Sequence, residues 1–473
     1  MNRNALCYES TVSLARRIRA GEVSPLQAVN AYLERIERVD PQVHSYLHVA
    51  ADHALQAARR AEQALTRGER ELGALHGVPV AVKDLFDTAG MPTTCGSPRI
   101  LGGSVPTRTA TAVERLEQAG AVLLGKLHMT EFAFIAHHPD TRAARNPWAT
   151  DRSPGGSSSG SAVAAVCGLA SATLGTDTAA SIRLPAAWCG AVGLKPTWGR
   201  VSRDGVFPLA ASFDHVGPIA RSVADAALLL HCIAGPDPRD PSTRRQAPPP
   251  AEPVPRDDFR GVRLGWDEAF VTMGVMPEVA AVTRAARDRM EALGATIVPV
   301  ELPDLESMCT TFTNVFDVEM RAAHAGLYPD RALDYGPLAR HALAHFSTRD
   351  PLIHVEGAIQ ARAFRQRIDQ LFDEIDVLLC PVSSITAPPQ VDDETIIAIF
   401  GDDHRNIIRL TRLTSFWDLA ATPAISLPWG FDRDGLPFAV QLVTRVGTDE
   451  ALLSIAARLE VEAPDRGKRP PLE

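Results

Sequence analysis

Residues 153–189 read SPGGSSSGSAVAAVCGLASATLGTDTAASIRLPAAWC, and this stretch restricts the possible folds more than any other. Two serine-bearing turns flank a run of small, nearly uncharged residues from Ala162 to Leu174. Taken alone, a glycine/serine tract such as Pro154–Gly160 is a flexible linker. Here it leads straight into an apolar run, the pattern of a packed helix followed by a buried strand. The second turn, Thr176 to Ser181, closes that strand and opens a short helix ending near Cys189. A serine at a strand-to-helix turn lies beside unpaired backbone N–H groups, where an oxyanion can be stabilised.

A serine hydroxyl is a weak nucleophile until a base takes its proton, and the stretch holds no histidine. The candidate base is Lys83, delivered by the apolar run HGVPVAVK that begins at His76. Each of these residues also has a plainer reading. Lysine is rarely fully buried, so Lys83 alone is a solvated strand end. Ser157 and Ser181 could each cap the helix that follows. Asp177 reads as a hydrogen-bonding scaffold residue, and Arg183 as a structural one.

Together, GVPVAVKD, PGGSSSGSA and GTDTAASIRLPAAWCG resemble the amidase signature family, and the 24 residues from Ser157 to Ser181 fit its bridging serine and nucleophile. The resemblance implies a Ser–Ser–Lys triad. Ser181 would attack an amide carbonyl and form an acyl-enzyme. Ser157 would bridge protons, and Lys83 would be the base and later the acid for the departing amine. Backbone N–H groups from Thr178, Ala179, Ala180 and Ser181 would form the oxyanion hole. As a base Lys83 must be neutral, which burial around Val80–Val82 would favour.

The resemblance also implies an α/β fold, with a mostly parallel mixed central sheet covered by helices on both faces. It extends to KLHMTEF at 126–132, where His128 replaces an asparagine, and to segments at 193–202, 214–222, 376–381, 418–428 and 435–441, about two thirds of the chain. Family members usually carry Gly-Gly before the nucleophile, whereas this chain has Ala179-Ala180. Alanine disfavours positive φ, so the turn is expected to keep φ negative there, with two methyl groups narrowing the site.

Periodicity organises the rest. Thr11–Ala20 reads as a helix, and Ser24-Pro25-Leu26-Gln27 starts another with a capping box. Alternating strand and helix patterns from Gly73 onward imply a sheet between helical layers. One domain over 1–473 is expected, with a helical layer at 1–70, a signature core at 71–234, an exposed proline-rich linker at 235–258 and a variable helical segment at 306–371.

Composition narrows the function classes. A formal net charge of −9 disfavours nucleic acid or an anionic membrane as partner. No run reaches the roughly 18 apolar residues of a membrane helix, and no signal peptide is visible, so a cytoplasmic protein is expected. Seven scattered cysteines without CxxC spacing read as free thiols. The pairs His341/His345 and His137/His138 lack further ligands, so neither a metal nor an organic cofactor is expected. The expected partner is a small-molecule amide, and the resemblance allows a homodimer. The competing function is a glutamine-hydrolysing subunit of the kind found in glutamyl-tRNA amidotransferases, working with partner chains. Segment 411–420 departs from the asparagine-containing pattern of that subunit. Phe316, Phe346, Phe400, Phe416 and Trp417 point to an apolar or aromatic acyl group.

Overall fold

A computed structural model describes residues 3–69, 71–346, 348–350, 352–400, 403 and 405–472 of the 473-residue chain. Its strands are β1 (Tyr46–Val49), β2 (Pro79–Lys83), β3 (Val122–Leu127), β4 (Ala172–Asp177), β5 (Val192–Lys195), β6 (His215–Ala220), β7 (Arg263–Trp266), β8 (Thr296–Pro299), β9 (Val377–Pro381), β10 (Ala424–Phe431) and β11 (Pro437–Val443). They form one 11-stranded sheet in the order β1-β3-β2-β4-β6-β5-β10-β11-β9-β7-β8. Helices flank the sheet, giving the expected α/β architecture.

Every residue of β2, β3 and β4 is buried. A strand covered on both faces has no need of alternating polarity, which is why these segments read as continuous apolar runs. The helix Ser159–Val166 is likewise buried along its whole length. Its small side chains permit close approach: a Cβ on Gly160 would lie 2.2 Å from the Ser45 carbonyl oxygen. The glycine/serine tract is therefore a packed helix entrance. The predicted capping box is present, with Gln27 N donating to Ser24 Oγ at 3.0 Å and Ser24 N to Gln27 Oε1 at 3.1 Å.

Three expectations need correction. The sheet is mixed but not mostly parallel: among the described residues β2/β3, β2/β4, β7/β8 and β7/β9 pair in parallel, and six pairs are antiparallel. Helical crossovers give parallel neighbours, but β10 and β11 are joined by a hairpin. There Asp432 Oδ1 accepts from the backbone N of Asp434 (2.9 Å) and Leu436 (2.8 Å). The helical layer at 1–70 also contributes β1, an edge strand antiparallel to β3. The proline-rich segment is anchored at its start, where the buried Asp237 accepts from Thr111 Oγ1 at 2.5 Å and Ser202 Oγ at 2.7 Å.

Segment 306–371 carries the helices Leu305–Ala323, Pro337–Phe346 and Leu352–Leu371. Phe312, Phe316, Phe346, Phe416 and Trp417 form a second apolar cluster with it.

Candidate active site

The parallel strands β2, β3 and β4 end side by side at Lys83, Leu127 and Asp177. Ligands of open α/β sheets bind outside such carboxyl ends. A cavity of about 670 Å³ opens there, lined by the 178–181 turn, by Gly155 and Gly156, and by apolar side chains including Phe134, Phe316, Ile396 and Ile408.

Lys83 is 0% exposed, Ser157 1% and Ser181 9%. Of the three, Ser181 lines the cavity. Lys83 Nζ donates to Ser157 Oγ at 2.6 Å and to Thr176 Oγ1 at 2.8 Å. The backbone ties the second serine to this pair, since Ser158 N donates to the Ser181 carbonyl at 3.2 Å. Ser181 Oγ forms no hydrogen bond among the described residues.

Neither serine caps a helix. The N-cap positions are Ser158 and Ile182, neither of which has a side-chain capping bond. Lys83 is no solvated strand end either. A second buried lysine gives a contrast: Lys126 pairs with Asp84 at 3.1 Å, both side chains buried. Lys83 has two hydroxyl partners and, among the described residues, no carboxylate within 4.0 Å. Burial therefore pushes it from its ordinary 10.5 down to about 7, against the weaker pull of Asp177 and Asp214.

Two carboxylates shape the turn. Asp177 Oδ2 accepts from the backbone N of Ile182 (3.1 Å) and Arg183 (3.2 Å). Asp214 Oδ1 accepts from Thr178 Oγ1 at 2.6 Å. The N–H groups of Ala179, Ala180 and Ser181 donate to no acceptor among the described residues. Among the described residues the non-glycine positions at positive φ are His44, Cys95, Phe132, Ala133, Ala421 and Asp465, all outside this turn, so the two alanines stay out of the left-handed region as expected.

Thr176 and Asp214 were not singled out from sequence as site residues. Asp214 had a signal, because it opens one of the resembling segments. Of the aromatic candidates, Phe316 lines the cavity, whereas Phe346, Phe416 and Trp417 are fully buried. The side chain of Phe400 lies outside the described residues. Among the described residues no cluster of three or more His, Cys, Asp or Glu could hold a metal, and no helix is long and apolar enough to cross a membrane.

The model of the family described as Amidase matches residues 27–453. This chain belongs to the amidase family. The match runs through 306–371, where sequence motifs alone showed least resemblance. The chain is 38% identical over 476 residues to a subunit of the glutamyl-tRNA(Gln) amidotransferase of Prochlorococcus marinus (strain MIT 9303), spanning 95% of this chain and 96% of the relative. Among solved structures it is similar to the native peptide amidase of Stenotrophomonas maltophilia, with 30% identity, a TM-score of 0.81 and 98% of each chain covered. It is also similar to 6-aminohexanoate cyclic dimer hydrolase complexed with substrate, with 26% identity, a TM-score of 0.86, and 98% of this chain and 99% of that one covered. The chain thus shares its fold and family with amide-hydrolysing enzymes and with one component of an amidotransferase.

Proposed function

We propose that this chain is a serine amidohydrolase that cleaves the C–N bond of a neutral small-molecule amide. The observation that carries this reading is the 2.6 Å contact between Ser157 Oγ and a buried lysine with no carboxylate partner among the described residues, together with the cavity that Ser181 lines. Neutral Lys83 would accept a proton from Ser157 Oγ while still donating to Thr176. Ser157 would take the Ser181 proton as Ser181 Oγ bonds to the carbonyl carbon. The free N–H groups at 179–181 would hold the oxyanion. The proton would then return through Ser157 to the nitrogen, the C–N bond would break and the amine would leave. Water would attack the resulting ester by the same relay. The missing contact at Ser181 Oγ is compatible with this, because such contacts are often long without substrate and tighten on binding.

The similarity to a component of an amidotransferase supports a second reading, glutamine hydrolysis on behalf of partner chains. Cavity chemistry weighs against it. Glutamine brings an ammonium and a carboxylate, each costly to bury without an opposite charge. Among the described residues lining the cavity there is no Asp, Glu, Lys or Arg. Ammonia release from glutamine and from neutral amides, measured on the isolated chain, separates the two. A sulfonyl fluoride should label Ser181, and Ser181→Ala should abolish both labelling and turnover. An adduct on Ser157 or Ser158 with Ser181 unmodified would overturn the assignment.

A further inference from the structure

His137 lies in the wall of the same cavity. Its Nδ1 is 3.1 Å from the carbonyl oxygen of Met129. A carbonyl can only accept, so Nδ1 carries the proton and Nε2 of the neutral ring is an acceptor. The ring is held from a second side: His128 meets it edge-on, with centroids 4.6 Å apart at 84°, and His128 Nδ1 lies 3.2 Å from the same carbonyl. The residue that departs from the family's asparagine thus packs against His137. Burial holds His137 down at about 4, so the ring is neutral at ordinary pH.

Several polar groups near it are already committed. Thr130 Oγ1 donates to the Phe134 carbonyl (2.9 Å), Thr141 Oγ1 to that of His138 (2.7 Å) and Thr178 Oγ1 to Asp214. His138 is satisfied at both nitrogens, by Asp140 N at 3.1 Å and the Asp334 carbonyl at 3.2 Å. His137 Nε2 has no partner among the described residues. It is a fixed acceptor in a largely apolar cavity.

We propose that His137 is a specificity-determining residue, whose Nε2 selects amides with an apolar acyl part that carries a hydrogen-bond donor such as a hydroxyl. This rests on the reading of the cavity as an amidase site. A site built to bond a substrate hydroxyl discriminates strongly against the analogue lacking it, because its own polar group is then left unpaired.

The test uses 3-phenylpropanamide and its ortho-, meta- and para-hydroxy derivatives, with ammonia release followed for wild type, His137→Phe and His137→Gln. In the wild type at least one hydroxylated isomer should exceed the parent amide in kcat/KM by about tenfold or more. His137→Phe, which keeps a packed ring, should bring that ratio to about one, and His137→Gln, which restores an acceptor, should recover part of it. A ratio that survives in His137→Phe, no preferred isomer, or no turnover of any of the four overturns the inference. Failure of the underlying reading shows separately, as turnover that persists in Ser181→Ala or as sulfonyl fluoride labelling elsewhere than Ser181.

Discussion

Arg183 Nε donates to Asp177 Oδ2 at 2.9 Å and Arg183 Nη2 to Asp177 Oδ1 at 3.0 Å, and both side chains are fully buried. Burial pushes the Asp177 carboxyl up, but Arg183, Lys195 and the backbone N–H of Ile182 together offset it and the net shift is downward. Arg183 also donates to Asp418 Oδ2 (2.5 Å), Gln441 Oε1 (2.8 Å) and the Thr414 carbonyl (3.0 Å). The pair thus anchors the 178–181 turn to the helix Arg412–Leu419 and to β11, with both Asp177 oxygens engaged there.

Arg183→Met should be severely destabilising. It leaves two buried carboxylates without their shared cation, and breaking a buried pair in this way costs about 3–5 kcal/mol. Urea denaturation should show that loss. A midpoint unchanged from wild type would mean that Asp177 and Asp418 are neutral in the fold.

The acid limb of activity should report Lys83. With its ionisation lowered to about 7, kcat/KM should fall about tenfold per pH unit below that value and level off above it. Stability should move in the same direction. Between about 7 and 10.5 the unfolded chain binds a proton at Lys83 that the folded chain does not, so stability rises with pH across that window. Below about 7 both states are protonated and the penalty is constant. Lys83→Met should lose activity and this stability slope together, as pH-dependent rates and melting curves would show.

Ser157→Ala should leave the fold intact, because it removes one hydroxyl and leaves Lys83 Nζ its bond to Thr176. On the proposed relay, removing this bridge leaves the proton no path from Ser181 to Lys83. We expect kcat to drop by roughly 100- to 10,000-fold, the usual worth of general-base assistance, and labelling of Ser181 to slow in parallel. Normal labelling with normal turnover would show that another group deprotonates Ser181.

Ala179→Gly combined with Ala180→Gly tests the narrowing of the site. Neither alanine is at positive φ, so glycine relieves no strain and removes only two methyl groups from the wall. Bulky amides should be accepted better, while the best substrate stays within about tenfold, or about 1.4 kcal/mol. A uniform gain on every substrate would instead mean that the alanines misalign the oxyanion hole.

Local physics made much of this legible in the sequence. The capping box at Ser24, the buried runs of β2 and β4, the helix after Ser158 and the spacing from Ser157 to Ser181 all depend on residues close along the chain. Strand order, the antiparallel pairs and β1 were not legible, because they depend on which segments meet after long loops close. Arg183 and Asp418 are 235 residues apart, and nothing local couples them. The contact of His128 with His137 likewise exists only once the chain turns back on itself.

Lys83 shows the division most clearly. By itself the sequence determined that an apolar strand ends in a lysine followed by Asp84, a neighbour that looks like an obvious counter-ion. Successive side chains at a strand end point to opposite faces. In the fold Asp84 therefore turns from Lys83 and pairs with Lys126, which β3 carries alongside. Only the tertiary structure decided which lysine would keep its carboxylate and which would be left among hydroxyls, where burial can make it a base.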